Sequence, residues 1–280
     1  MLIQDFKIGG RSTFIIAELS ANHNQNYDLA LKTIGAIKAA GADAVKLQTY
    51  TADTMTLNVR NEYFKPKVDG LWKGMTGYDL FTEAYTPWEW QPKQKEYAES
   101  IGLICFSSPF DNSSVDFLEK MSVPAYKIAS FEITDIPLIR YVASKKKPII
   151  ISTGIALEED IETAIHACLA EGNDQIAILK CTSAYPAPYD EINLKAIQVL
   201  RKKYNMVVGL SDHTLGLAVP IASVALGGKI IEKHFILSRS MGGPDSAFSM
   251  EPAEFKMMVE GIRNIEKALG KPTLELTQKA

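Results

Sequence analysis

Eight short apolar runs, each followed by sequence able to form a helix, constrain this chain more than any other feature. They begin near Phe14, Ala44, Leu103, Ala125, Ile149, Ile176, Val207 and Ile230. Short apolar runs buried on both faces suit parallel strands, and strands alternating with helices build either a closed barrel or an open doubly wound sheet. An open dinucleotide-binding sheet carries a glycine-rich turn after an early strand, and no such turn follows these early runs. The expectation is an α/β fold, a (β/α)8 TIM barrel whose working residues sit at the C-terminal ends of its strands.

The 280 residues are read as one domain: an N-terminal β-hairpin over about 2–13, a barrel over about 14–270 and a tail over 271–280. The hairpin is expected to turn around Gly9–Gly10, run into the first barrel strand and close the barrel bottom. Asn26 reads as the cap of the first helix and Gly41 as its stop. The segment from Thr49 to about Pro87, with Tyr63, Phe64, Leu71, Trp72 and Tyr78, is long for a strand-to-helix connection. It is either a lid or wall of a substrate pocket or a packed surface excursion.

Composition removes several classes of function. A net charge of −3 without basic clusters argues against nucleic acid or an anionic membrane as main partner. No apolar stretch is long enough to span a bilayer, and the N-terminus lacks the pattern of a secretory leader. Cys105, Cys168 and Cys181 are too scattered for a disulfide scaffold, so a reducing, cytoplasmic setting is expected.

Chemistry-bearing residues recur at the strand ends. Lysines in apolar strands are costly unless they meet anions, and Lys46, Lys127 and Lys180 lie in such strands. They point to an anionic substrate, to a structural ion pair with Glu18 or Glu232, or to a Schiff base. Hydroxyls at Ser107, Ser108, Ser130, Ser152, Thr153, Thr182, Ser183 and Ser211 can hold phosphate or carboxylate oxygens. His213 and His234, beyond the last two runs, suit an open divalent-metal site with Asp212 or Glu232 nearby, or two structural histidines. His23 is expected to shape the pocket floor, His166 to lie on an outer helix, and Asp245, after Gly242–Gly243–Pro244, to reach substrate hydroxyls or organise a turn.

Six segments carry a resemblance over nearly the whole chain. They are Ile16 to His23 (IAELSANH), Lys46 to Tyr50 (KLQTY), Cys105 to Phe110 (CFSSPF), Tyr126 to Glu132 (YKIASFE), Gly209 to His213 (GLSDH) and Ile231 to Phe235 (IEKHF). With them the chain resembles the sialic acid synthase family, and the Leu-Ser-Ala-Asn-His and Gln-Thr-Tyr-Thr character of the first two is similar to its pseudaminic acid branch.

The resemblance implies condensation of phosphoenolpyruvate with an acylated amino-sugar aldehyde, 2,4-diacetamido-2,4,6-trideoxy-altrose for that branch, releasing phosphate. It implies that Lys46, Lys127, Ser152, Thr182, Ser183 and Ser211 surround phosphoenolpyruvate. His213 and His234 would hold a divalent metal, manganese first, with magnesium or cobalt as alternatives. Gln48, Tyr185 and Asp245 would meet the sugar. Glu132 would be the acid/base group, with Glu18 as the alternative, and the lysines would act electrostatically.

Family members form homodimers and continue into a small antifreeze-like C-terminal domain that supplies an arginine to the partner. The expectation for this chain is the catalytic barrel alone, with weaker sugar turnover. Legionaminic or N-acetylneuraminic acid synthesis is the neighbouring alternative. A Schiff-base aldolase and a non-catalytic sugar-binding barrel are the alternatives of other classes.

Overall fold

The computed structural model describes residues 1–64 and 74–276. Strands β3 (Phe14–Glu18), β4 (Ala44–Thr49), β5 (Ile104–Pro109), β6 (Tyr126–Ile128), β7 (Ile149–Ser152), β8 (Ile176–Cys181), β9 (Val207–Asp212) and β10 (Ile230–His234) close into a parallel barrel. They follow chain order, with β10 pairing back onto β3. This is the eight-stranded barrel expected from the apolar runs. Strands such as Ile149-Ile150-Ile151 are buried along their length because side chains fill one face and helices cover the other.

The hairpin exists, but its turn differs from the expectation. Leu2–Ile3 (β1) pairs antiparallel with Phe6–Lys7 (β2), so the chain reverses at Gln4–Asp5 and not at Gly9–Gly10. Gln4 takes the left-handed conformation that a two-residue reversal needs, at φ 47°. Ile3 and Ile8 join the apolar core with Phe14, and the Phe6 and Phe14 rings lie 4.8 Å apart, which plugs the N-terminal mouth of the barrel.

Helix α1 (Tyr27–Ala39) starts and stops as its sequence implies. The Asn26 side chain accepts from the Leu29 amide at 2.9 Å, and Gly41 turns the chain at φ 91°. The segment after β4 is not one loop. It contains α2 (Ala52–Met55) and α3 (Gly77–Ala84), the latter capped by a reciprocal Thr76–Asp79 pair, before α4 (Gln91–Ser100) resumes the barrel pattern. Leu71 and Trp72 lie outside the described residues.

The outer layer continues with α5 (Asn112–Lys120), α6 (Ile136–Ser144), α7 (Glu158–Ala170), α8 (Ala196–Tyr204), α9 (Ala218–Ala225) and α10 (Pro252–Ala268). His166 is exposed on α7, as expected. Among the described residues no helix is long and apolar enough to cross a membrane, and all three cysteines are free thiols.

Candidate active site

Register sets the floor of the site. On β3, Glu18 sits opposite Lys46 of β4 on one side and His234 of β10 on the other. Alternation points Lys46 and Gln48 to the same inner face. The Lys46 ammonium contacts Glu18 and Glu232 at 3.0 Å each, and Lys127 lies 3.5 Å from Glu232. Lys127 also donates to the Ile128 carbonyl, at 3.1 Å. The structural ion pair expected with Glu18 or Glu232 is present, and both lysines also line the cavity.

Their electrostatics differ. Burial opposes charge on Lys46, yet its two carboxylate partners hold its pKa above the ordinary value. Burial dominates at Lys127 and lowers its pKa, with Glu232 opposing. Glu18 is held well below the usual carboxylate range: burial resists ionisation, but Lys46, His234 and Lys127 outweigh it. Glu232 is likewise held low against burial by Lys127 and Lys46. Two buried cations thus balance two buried anions.

Glu132 behaves in the opposite way. It sits half-buried on a short turn of helix after β6, and burial pushes its carboxyl up to about 7 against the pull of Lys127. Among the described residues its Oε2 has no hydrogen-bond partner.

A cradle of hydroxyls forms above β6–β8. The Gly154 amide donates to Ser130 Oγ at 3.1 Å, while Ser152 Oγ and Ser183 Oγ are buried without partners among the described residues. A Cβ at Gly154 would come within 2.2 Å of Ser183 Oγ and 2.7 Å of Ser130 Oγ, so only glycine keeps both hydroxyls in place. Unpaired buried hydroxyls beside a backbone N–H suit the oxygens of an anion.

The structure departs from the sequence reading at several residues. Thr182 is not brought into the cavity: strand alternation turns its hydroxyl toward Lys180, which donates to it at 3.1 Å. Lys180 itself lies on the outward face of β8, so two lysines converge and not three. The same alternation sends Cys181 inward, a residue the sequence reading had used only for its redox setting. Its thiol is pulled down to about 7; burial opposes this, and His213, Ser130 and Lys127 favour the thiolate. Ser211 is at the floor, but its hydroxyl donates to Glu232 at 2.9 Å. Asp212 points away, to Lys233 at 2.5 Å and the Thr214 amide at 3.1 Å, and anchors the loop that carries His213. His23 is buried against Thr86 and Trp90, outside the cavity lining, where it ties down the segment ahead of α4.

The imidazoles of His213 and His234 face one another with centroids 5.4 Å apart. The His213 Nδ1 lies 3.2 Å from the Thr182 carbonyl, and the His234 Nε2 lies 3.3 Å from the Glu18 carboxylate. If each of these nitrogens donates, the other nitrogen of each ring keeps its lone pair. The remaining His234 nitrogen, Nδ1, is buried without a hydrogen-bond partner among the described residues, 3.8 Å from Asp245. Asp245 is held in position by the Ser20 hydroxyl. Tyr185 packs on His213 at 4.5 Å and Phe248 on His234 at 4.9 Å.

Among the described residues no group of three or more acidic, histidine or cysteine side chains forms a ready metal cage. In that tautomer the two imidazoles suit an open site completed by water or substrate. The floor charges, Glu132, the Ser130, Ser152 and Ser183 hydroxyls, Cys181, Ser211, both imidazoles, Tyr185, Asp245 and Phe248 line one cavity of about 680 Å³ at the C-terminal mouth of the barrel.

The NeuB family matches residues 33–273 of the chain. A pseudaminic acid synthase of Campylobacter jejuni is 48% identical over 270 residues, spanning 96% of this chain and 78% of the relative. One from Helicobacter pylori is 46% identical over 266 residues, 95% of this chain and 78% of the relative. Among solved structures, a citrate complex of the N-acetylneuraminic acid synthetase of Leptospira borgpetersenii superposes with a TM-score of 0.89 at 32% identity. That superposition covers 100% of this chain and 93% of the other.

Proposed function

The chain belongs to the NeuB family, and on that footing we propose that it condenses phosphoenolpyruvate with 2,4-diacetamido-2,4,6-trideoxy-altrose and water, giving pseudaminic acid and phosphate. The observation that carries this reading is the meeting, in one cavity, of buried serine hydroxyls without partners, backed by buried lysines, with a pair of neighbouring imidazoles of which His234 keeps an unpartnered Nδ1. High identity to pseudaminic acid synthases selects the sugar within the family.

The cradle of Ser130, Ser152 and Ser183, its Ser130 hydroxyl held by the Gly154 amide, takes the phosphate oxygens, with Lys127 beneath it. Lys46 and Ser211 meet the carboxylate, the latter once its hydroxyl swings off Glu232. Thr182 drops out of this set because its hydroxyl is engaged by Lys180.

Floor charges already cancel, so a substrate carrying at least two negative charges brings an excess that a divalent cation offsets. His213 and His234 would hold that cation, manganese foremost, with Asp245 beside them; when bound it supplies Lewis-acid polarisation of the sugar aldehyde. Glu18 stays a carboxylate, orients His234 and accepts from Gln48 at 2.8 Å, so it serves position and not proton transfer.

The new bond forms between phosphoenolpyruvate C3 and the aldehyde carbon. Water adds at C2, and the C2–O bond to phosphate then breaks to leave the 2-keto acid. Glu132, protonated below pH about 7, is the proton donor beside the cradle and serves the departing phosphate. The lysines act through charge, with no Schiff base. Phosphoenolpyruvate as substrate and three free thiols fit a cytoplasmic enzyme, and a homodimer belongs to the same reading.

The test is phosphate release by the manganese-loaded protein with phosphoenolpyruvate and the altrose substrate, with the product identified by mass. Release that needs both substrates and metal, with a nine-carbon keto acid formed, supports the reading. Release only with an N-acetylmannosamine or legionaminic-type acceptor would replace the sugar, and lysine trapping by borohydride would replace the chemistry.

A further inference from the structure

One wall of the cavity has a character that the condensation itself does not require. Met55 of α2, Leu80, Phe81 and Ala84 of α3, and Phe110 just after β5 line it. The Tyr50 ring stands edge-on to Phe81 at 5.8 Å and to Phe110 at 5.2 Å, which fixes both rings. Met55, Leu80, Phe81 and Phe110 are half-buried, so they keep apolar surface to offer a ligand. Among the described residues that line the cavity, the lysines are Lys46 and Lys127, both on the floor, and no arginine contributes.

Barrel order places this wall opposite the ends of β8 and β9, with β5 beside β6. The serine cradle occupies the ends of β6 to β8 and the imidazoles those of β9 and β10, whereas the wall rises from the segments after β4 and β5. An acceptor whose aldehyde carbon lies over the floor can extend its far end across the mouth toward that wall.

We propose that Met55, Leu80, Phe81 and Phe110 are specificity-determining residues that accept the methyl terminus of a 6-deoxy acceptor sugar and disfavour acceptors bearing a hydroxyl or phosphate there. This rests on the proposed synthase function and names the residues that choose its substrate class. A C6 hydroxyl against Met55, Leu80, Phe81 and Phe110 gives up water with no hydrogen-bonding group on those four side chains to replace it, and a C6 phosphate meets no cation among them. Because the wall reads the terminal carbon, it separates deoxy from hydroxylated sugars without ordering their ring stereochemistry.

The experiment compares kcat/KM for two acceptors identical except at C6, the 2,4-diacetamido-2,4,6-trideoxy sugar and its 6-hydroxyl counterpart, at saturating phosphoenolpyruvate and manganese. An apolar pocket disfavours an added hydroxyl by up to roughly 100-fold, so a preference of about 10- to 100-fold for the methyl sugar is expected. Leu80→Gln and Met55→Gln, each offering a hydrogen-bonding amide, should bring the ratio to within about threefold by the same reasoning. Phosphoenolpyruvate affinity, measured separately by calorimetry, reports an intact floor in each variant.

A wild-type ratio near one overturns the proposal, and it needs no variant to fold. So does a ratio that both variants retain with phosphoenolpyruvate affinity intact. Turnover of both acceptors at equal efficiency leaves the synthase reading standing and removes the wall; turnover of neither removes the altrose-type acceptor on which the wall depends, and phosphate release with an N-acetylmannosamine or legionaminic-type acceptor then tells whether the synthase reading falls with it.

Discussion

At the floor of the cavity Lys46, Lys127, Glu18 and Glu232 neutralise one another across four strands, whereas on the wall Leu80, Phe81 and Phe110 present hydrocarbon. The floor is built on strands whose register leaves little freedom, and each of its charges is buried, so removing one partner strands another in a dry site. Leu80 and Phe81 sit on a short helix in an excursion from the barrel and Phe110 just after β5, and the two rings are held by packing on Tyr50. Chemistry resides where change is costly, and choice of substrate where change is cheap. If that division is right, floor substitutions slow methyl and hydroxyl acceptors alike, and wall substitutions change their ratio.

The largest expected effect is at His213. His213→Ala removes one imidazole of the proposed metal pair and should lower kcat/KM on the order of 1,000-fold, the loss of about 4 kcal/mol of charge stabilisation. Manganese affinity measured by calorimetry should fall with it while the circular dichroism spectrum is retained. Unchanged metal affinity would sink its role.

Glu132→Gln comes next, with an expected loss in kcat on the order of 100-fold. The wild-type rate should fall as pH rises past about 7, because the carboxyl raised there by burial loses the proton it donates. The variant should lack that limb, and a wild-type profile flat through neutrality would contradict the assignment. The same raised pKa favours the fold at low pH, with its contribution lost as pH rises through about 7.

Smaller still is Gly154→Ala. Its added methyl would displace the Ser130 and Ser183 hydroxyls, so KM for phosphoenolpyruvate should rise roughly 10- to 100-fold, about 1.4 to 2.7 kcal/mol of lost contacts. Circular dichroism and the acceptor ratio should stay as in the wild type. Thr182→Val should change kcat/KM less than about twofold, since its hydroxyl serves Lys180 and not the cradle. A large effect there would return Thr182 to the phosphate site.

The barrel was legible because its strands are apolar runs separated by helix-forming sequence, and the floor because charged residues interrupt those runs. Lys46, Lys127, Glu18, His213 and His234 announce themselves in that way. Thr182 was misplaced because Lys180 through Ser183 all look chemically apt, and only the pleat decides that Cys181 and Ser183 face inward. The hairpin turn was misplaced because paired glycines are a stronger turn signal than Gln4–Asp5, whose reversal rests on Gln4 accepting a positive φ. The wall was the least legible. Tyr63 and Tyr78 drew notice as aromatics, yet Tyr63 is exposed and Tyr78 donates to Asp53, while Met55, Leu80 and Phe81 do the lining. Nothing in the spacing of so short a helix as α2 tells which side meets a cavity formed by distant strands.

The measurement that goes most directly to the chemistry is the fate of the bridging oxygen of phosphoenolpyruvate. With that oxygen isotopically labelled, turnover by addition of water at C2 and cleavage of the C2–O bond should deliver the label into inorganic phosphate. Label recovered at C2 of the keto acid would mean that the P–O bond breaks instead, and would contradict a cradle that holds phosphate as the group leaving carbon.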